Sequence, residues 1–295
     1  MTTERQYREE LAQIGRMLHS RGMVAGTNGN VSMRLDTDEV LVSPLGVNLG
    51  RLTPEQVVLV NLDGESLAKD GKVPVEYPLH REVYRLRSDI RSVVHAHPPI
   101  STGMAAARVD MTEPLLTDLV LGFKGVPLAE YAAPTTEAFP RSISGFVSEY
   151  DAVLLANHGV LTLGQSLDDA YHKMELVESV AQASLAARLF GGGEPLSDAQ
   201  AEELLGIRER LFGGARNPVC ETCTDWAGSI AASPSLASGS LGSTSECTLC
   251  ATCSERGEET GTSEASDGGS SGDDGERAHL VEKIAAEVLA RLRQV

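Results

Sequence analysis

Basic residues, aromatic residues and long apolar runs are all scarce in this chain of 295 residues. Lysine and arginine number 25 against 42 acidic residues, and the net charge of −17 argues against a nucleic-acid partner, because phosphate backbones are bound by clustered basic side chains. No apolar run approaches the roughly 18 residues of a membrane span, so no membrane partner is expected. The first ten residues contain no apolar signal-peptide core, and we expect a cytoplasmic protein.

Cysteine is absent from the first 219 residues, and all five cysteines lie between Cys220 and Cys253. In a reducing cytoplasm they are better interpreted as thiols or metal ligands than as disulfides. Two Cys-x-x-Cys pairs have the spacing of zinc-ribbon halves and indicate a second metal site, formed by Cys220, Cys223, Cys247 and Cys250. The alternative is thiols with no common role, because the residues between the pairs are of low complexity.

Composition divides the chain into three regions. Residues 1–213 alternate amphipathic helices with short strands and predict a folded catalytic domain, in which 113–118 and 125–128 are connecting and strand segments. Residues 214–275 are rich in serine, glycine and acids and predict a solvated linker, since they cannot bury enough apolar area to fold. Residues 276–295 predict an amphipathic helix that needs a partner surface, either its own domain or another protein. Its apolar stripe consists of Leu280, Ile284, Val288 and Leu292.

Three histidines occur in matching settings. Residues 92–97 form a β-branched run in which His95 and His97 share one face, with Cα atoms about 6.5 Å apart. His158 ends a second apolar run, immediately before Gly159. Buried imidazoles are costly unless they are bound, and a divalent metal is their usual partner. The pattern therefore indicates a catalytic zinc site with three histidines and an open fourth position.

Glu76 precedes a predicted helix, Tyr77–Leu86, and lies about one helix ahead of the histidine strand. The helix dipole stabilises a carboxylate at this place, from which it could fold back on the metal. The alternative is a solvated acid in the first helical turn. Two glycine-containing loops, residues 26–30 and 43–46, can turn backbone N–H groups toward an anion, although each is also typical of a simple tight turn.

Five segments in this order resemble the class II aldolase/adducin family over residues 5–212. The segments are Gly26-Thr-Asn-Gly-Asn-Val-Ser32, Ser43-Pro-Leu-Gly46, Val75-Glu-Tyr-Pro-Leu-His-Arg-Glu-Val-Tyr84, Val93-Val-His-Ala-His-Pro98 and Leu154-Leu-Ala-Asn-His-Gly159. The resemblance implies an α/β fold of the α+β type, a mostly antiparallel central β-sheet flanked by helices in three layers, assembled as a homotetramer.

The resemblance also implies a role for each site residue. One Zn²⁺ per subunit would be held by His95, His97, His158 and Glu76, with Glu76 as the acid/base and Asp118 as a further catalytic acid. The substrate phosphate would rest on Gly29, Asn30, Ser43 and Gly46. The implied reaction cleaves a ketose 1-phosphate, such as L-fuculose 1-phosphate, to dihydroxyacetone phosphate and lactaldehyde through a zinc-stabilised enediolate.

The chain departs from the family pattern in the phosphate loops. Pro74 and Val75 replace a serine pair, and Leu45 stands where a threonine is expected. Alternative functions are therefore a 4-epimerase of L-ribulose 5-phosphate, a decarboxylase of a sugar-acid phosphate, or a non-catalytic adducin-like binding module. Residues 276–295 resemble the encapsulation peptides of bacterial microcompartment cargo enzymes, which implies a shell-protein partner and the microcompartment lumen as a location.

Overall fold

A seven-stranded β-sheet lies at the centre of the part of the chain that the computed structural model describes, residues 3–35, 39–67 and 71–212. In space the order of the strands is β3-β2-β1-β4-β7-β6-β5. Every pairing is antiparallel except that of β5 with β6, which confirms the predicted sheet type. In chain order the strands are β1 Asn30–Arg34, β2 Glu39–Val42, β3 Val58–Asn61, β4 Ser92–Ala96, β5 Leu128–Ala129, β6 Ala152–Leu155 and β7 Gly159–Gly164.

Helices cover both faces of this sheet. Local sequence sets several of their ends: Thr3 and Gln6 form a capping box before the first helix, and Ser166 caps the sixth by accepting from the Asp169 N–H. In chain order the helices are α1 Glu4–Ser20, α2 Tyr77–Leu86, α3 Pro99–Ala106, α4 Thr117–Phe123, α5 Ala138–Val147, α6 Leu167–Leu189 and α7 Asp198–Phe212, with short 3₁₀ turns at Leu49–Arg51 and Pro54–Gln56.

The side chains of β4 alternate between two apolar cores, as a period of two requires. Val94 and Ala96 pack into the core shared with α1, α3, α4 and α6, whereas Val93 packs into the core shared with α2 and α5. The structure therefore has three layers. His95 is two residues from Val93, so it belongs to the face that α2 covers.

Helix α4 was not expected from the sequence, which predicted a connecting segment at its start. Its seven residues include Gly122 and β-branched Val120, which are weak helix formers. Tertiary contacts supply the stability instead: Leu119 and Phe123 are buried in the core, and the Arg208 guanidinium donates to the Gly122 carbonyl oxygen at 2.7 Å near the helix end.

The described residues all belong to the unit Met1–Pro218. The predicted linker at 214–275, the helix at 276–295 and the four cysteines of the predicted second metal site lie outside them, so these assignments remain predictions. Within the described ranges, no helix is both long and apolar enough to cross a membrane.

Candidate metal centre

Strand β4 and the residue that follows it bring His95 and His97 to one point. Their ring centroids are 4.9 Å apart and their Nε2 atoms 3.1 Å apart. The His95 Nδ1 lies 2.9 Å from the Val160 carbonyl oxygen, which can only accept a hydrogen bond, so Nδ1 donates. His95 therefore turns its other ring nitrogen, Nε2, to the centre.

The hairpin between β6 and β7 brings His158 to the same place. Asn157 has a φ of 56°, the left-handed conformation that turns the chain just before His158. Gly159 allows the turn to pack on β4, since a Cβ there would lie 2.5 Å from the Ala96 carbonyl oxygen. The ring centroid of His158 is 4.9 Å from that of His95 and 5.0 Å from that of His97.

Glu76 completes the cluster from the N-terminal end of α2, where it is the residue before the first helical position. Its Oε1 lies 2.9 Å from His158 Nε2, and its Oε2 lies 3.4 Å from His95 Nε2. One ligand atom from each of Glu76, His95, His97 and His158 lies within 4.8 Å of all the others. The structure thus brings the four predicted metal ligands together.

The donor atoms of this cluster fit a divalent cation. Ring nitrogens of buried His95 and half-buried His97 and His158 converge beside a carboxylate, and a cation between them would satisfy their lone pairs. Three nitrogen donors and one oxygen donor form a ligand set that zinc prefers in catalytic sites.

Protonation in the cluster also suits metal binding. Burial, followed by the neighbouring His95 and His158 charges, lowers the pKa of His97 to about 3. Burial alone would raise the pKa of Glu76, but His95 and His158 outweigh it and hold that pKa well below its ordinary value. His97 is therefore neutral and Glu76 ionised near neutral pH, the states in which both can bind a cation.

A cavity of about 220 Å³ adjoins the cluster, between the two glycine-containing loops. Three of the residues predicted to bind phosphate, Gly29, Asn30 and Gly46, line it together with Glu76 and His97. Gly29 and Gly46 have φ values of 77° and 76°, which only glycine adopts readily.

Two predicted site residues are not among those that line this cavity. Ser43 is fully buried, and its Oγ accepts a hydrogen bond from the Val31 N–H at 3.1 Å. Asp118 is exposed in the first turn of α4 and lines a different cavity, of about 260 Å³, beside Ser179 and Val180. Within one chain, the structure does not bring Asp118 to the cluster.

A buried row of polar side chains behind Glu76 was not assigned from the sequence. Asn30 Nδ2 lies 2.6 Å from Glu76 Oε2, and Asn30 Oδ1 lies 2.5 Å from His80 Nε2. Ser32 Oγ lies 2.7 Å from His80 Nδ1 and 2.6 Å from the Tyr84 hydroxyl. The sequence did contain one signal for this row: His80 and Tyr84 are four residues apart, so both lie on the buried side of α2.

The comparisons with known proteins agree with the fold. Residues 9–185 match the model of the Class II Aldolase and Adducin N-terminal domain, and the chain belongs to that family. The resemblance that the sequence motifs indicated is thereby confirmed.

Relatives of this chain catalyse more than one reaction. The chain is 32% identical over 183 residues to 3-oxo-tetronate 4-phosphate decarboxylase from Escherichia coli K12, an alignment that covers 61% of this chain and 86% of that protein. It is 32% identical over 174 residues to L-fuculose phosphate aldolase from Methanococcus maripaludis, covering 59% and 93%. The solved structure of YgbL from Klebsiella pneumoniae superposes with a TM-score of 0.65 at 31% identity, covering 69% and 100%. The chain is accordingly an enzyme of the class II aldolase type.

Proposed function

We propose that this enzyme cleaves a ketose 1-phosphate, such as L-fuculose 1-phosphate, to dihydroxyacetone phosphate and lactaldehyde. The observation that carries the proposal is the convergence of His95, His97, His158 and Glu76 beside a cavity of about 220 Å³. An aldol cleavage leaves an electron pair next to a carbonyl group, and this site combines a ligand set for a cation with an ionised carboxylate.

The three imidazoles and Glu76 would hold one zinc ion. When bound, the cation supplies Lewis-acid stabilisation of the negative charge that develops on substrate oxygens. The protein keeps the ligands in place: the Val160 carbonyl fixes the His95 tautomer, and Phe139 stacks on His158 with ring centroids 5.5 Å apart. No lysine is needed as a Schiff base.

Glu76 would carry the proton. As the bond between C3 and C4 breaks, the C4 hydroxyl would give its proton to the Glu76 carboxylate and become the aldehyde, while the electron pair stays on C3. Glu76 would then deliver that proton to C3 and complete dihydroxyacetone phosphate. The geometry supports this role because Glu76 lines the cavity and is ionised before it receives a proton.

The phosphate would be held mainly by the backbone of the two loops. The described residues that line the cavity include no lysine or arginine. The Leu45 N–H is already donated to the Lys72 carbonyl oxygen at 2.7 Å, and Pro44 and Pro74 have no N–H to offer. Gly29 and Gly46 are therefore the proposed donors, and we expect a modest affinity for phosphate.

Decarboxylation of a sugar-acid phosphate is the second candidate, because a decarboxylase and an aldolase are equally similar to this chain, at 32% identity. Both reactions leave an electron pair on a carbon next to a carbonyl group, so the same four ligands serve either. Which of the two reactions occurs therefore depends on the substrate, and an assay of the products distinguishes the aldolase from the decarboxylase.

The test uses full-length protein loaded with zinc and three groups of substrates: ketose 1-phosphates, pentulose 5-phosphates and 3-oxo sugar-acid 4-phosphates. Release of dihydroxyacetone phosphate supports the aldolase, whereas release of carbon dioxide alone supports the decarboxylase. An epimeric product would support an L-ribulose-5-phosphate 4-epimerase. Zinc binding without any turnover would favour an adducin-like binding module.

The proposal includes a homotetramer, because Asp118 is exposed and separate from the cluster within one chain. A catalytic role for Asp118 requires that a neighbouring chain bring the two cavities together. Light scattering gives the assembly state, and a mixed oligomer of Asp118→Asn and Glu76→Gln chains should regain part of the activity that each variant lacks if the two residues act across chains.

The proposal also includes residues 276–295 as an encapsulation peptide, supported only by their amphipathic pattern and the preceding serine- and glycine-rich segment. A fluorescent reporter fused to these residues should accumulate inside microcompartment shells. A reporter that remains diffuse would contradict this part of the proposal.

A further inference from the structure

Four polar residues lie buried between β1 and α2, where the surrounding core is apolar. Asn30 is 3% exposed, Ser32 and His80 are 0% exposed, and Tyr84 is 2% exposed. Leu79 and Val83 already anchor α2 to the sheet through the apolar core. Burying polar groups is costly, so their presence requires a reason other than attachment of the helix.

The direction of each hydrogen bond in this row follows from the amide group of Asn30. Its Nδ2 can only donate, so Asn30 donates to Glu76 Oε2 and turns its carbonyl oxygen to His80. That oxygen only accepts, so His80 donates through Nε2. Burial is the main cause that lowers the pKa of His80 to about 3, and the ring is therefore neutral.

The directions of the other two hydrogen bonds follow in the same way. A neutral His80 that carries its proton on Nε2 must accept at Nδ1, so the Ser32 hydroxyl donates to it. The Ser32 hydroxyl has then given its one proton, so its oxygen accepts from the Tyr84 hydroxyl at 2.6 Å, a shorter contact than the 3.5 Å from that hydroxyl to the Arg91 carbonyl oxygen. Along the row from Tyr84 to Asn30 the donors thus point toward Glu76, and hydrogen bonds aligned in this way strengthen one another.

We propose that Tyr84, Ser32, His80 and Asn30 form a one-directional hydrogen-bond relay that positions the Glu76 carboxylate. The relay holds Oε2 through Asn30 and leaves Oε1 facing His158. The four are positioning residues, because they act on the reaction through Glu76. This inference rests on the acid/base role of Glu76 in the proposed function, and it gives the Asn30 amide to the carboxylate instead of the phosphate.

The direction of the relay can be tested without any substrate. Zinc-loaded full-length protein with ¹⁵N-labelled histidine should show His80 as a neutral ring protonated at Nε2, assigned by loss of its signals in His80→Gln. In Ser32→Ala, His80 Nδ1 loses the hydroxyl that donates to it. Its ¹⁵N chemical shift should therefore move toward that of an imidazole nitrogen with no hydrogen bond. A His80 protonated at Nδ1, or a charged ring, would overturn the relay.

The positioning effect has its own readout in cobalt-substituted protein. Asn30→Ala should alter the visible absorption of bound Co²⁺, because Glu76 loses the contact that orients it, while the three histidines still hold the ion. Asn61→Ala is the matched control, since its amide bonds to Glu65 in an exposed turn. An unchanged Co²⁺ spectrum in folded Asn30→Ala would refute the positioning role, whichever substrate the enzyme uses.

Kinetics then identify the residue through which the relay acts. Asn30→Ala should lower kcat by about 10- to 100-fold with little change in KM, as is usual for partners of metal ligands. In a Glu76→Gln background the same change should cause no further loss; losses that multiply would show that Asn30 acts independently. His80→Gln, which keeps a donor, should retain more activity than His80→Leu.

Discussion

Two clusters of charged and polar side chains in this structure differ in how their charges are balanced. The first cluster consists of ion pairs: Arg87 contacts Asp89 at 2.7 Å and Asp151 at 3.1 Å, and Lys173 contacts Asp151 at 3.0 Å. Remaining donors reach backbone oxygens, since Arg87 bonds to Val147 and Lys173 to Leu163 at 2.9 Å. This cluster contains its own counter-charges.

The metal-site cluster lacks such counter-charges. Its four members converge around the one carboxylate of Glu76, and no lysine or arginine is among the described residues that line the adjoining cavity. A cluster that satisfies itself stabilises the fold, whereas one that is short of positive charge indicates a cation from outside. Substitutions in the two clusters should therefore have opposite effects on stability and on metal binding.

The largest effect should follow from removing a metal ligand. His95→Ala should lower zinc affinity by more than about 100-fold and reduce activity to background, because the loss exceeds that of a residue that only supports a ligand. Metal content after dialysis and a standard activity assay measure both. Exposed His172→Ala is the control and should keep zinc and activity. Full zinc content and activity in His95→Ala would show that the site is assigned to the wrong residues.

Glu76→Gln should have the next largest effect, because it keeps the shape of the side chain and removes its charge and its basic oxygen. We expect kcat to fall by about 10²- to 10⁴-fold while the fold is retained. Glu82→Gln on the same helix is the control, since Glu82 accepts from Ser144 and lies outside the cavity lining. A kcat within twofold of the wild type would exclude Glu76 as the proton carrier.

Asp151→Ala should show the reverse behaviour, with a loss of stability and unchanged zinc affinity. Removing it leaves Arg87 and Lys173 without a shared partner, which should lower the free energy of unfolding by about 3 kcal/mol. Urea denaturation measures this difference, and zinc titration measures affinity. Comparable losses of zinc affinity and stability would show that the two clusters are coupled.

The same variant has a defined pH dependence. Burial alone would raise the pKa of Asp151, but Lys173 and Arg87 outweigh it and lower that pKa below 3.8. A depressed folded-state pKa stabilises the protein above the unfolded value, and this contribution disappears as pH falls through the folded value. The stability difference between the wild type and Asp151→Ala should therefore be full at neutral pH and shrink below about pH 4.

Local patterns were sufficient to predict which histidines converge in the candidate metal centre. His95 and His97 follow from strand periodicity, and His158 from an apolar run that ends at a glycine turn, so each signal lies within a few neighbouring residues. Helix α2 was predicted at Tyr77–Leu86, the bounds that the structure shows. Short-range patterns were sufficient here because each strand or helix sets the direction of its own side chains.

Features that depend on distant residues were not predictable in the same way. The contact between Asn30 and His80 joins positions 50 residues apart, and the bond from Arg208 that supports α4 spans 86 residues. In both pairs, the residues next to one partner in the sequence form no pattern that indicates the other partner. The same reason explains why the sequence did not reveal that Ser43 bonds to the backbone of Val31 and that Asp118 lines another cavity.

The smallest effect should come from the phosphate side of the cavity. Leu45 and Val75 are 43% and 45% exposed where they line it, so Leu45→Thr adds a hydroxyl donor at little cost in stability. One such hydrogen bond to phosphate should lower KM for a phosphorylated substrate a few-fold and leave kcat unchanged. Leu67→Thr, at an exposed leucine outside the cavity lining, is the control. An unchanged KM would mean that phosphate does not sit between the two loops, and that Gly29 and Gly46 face another part of the substrate.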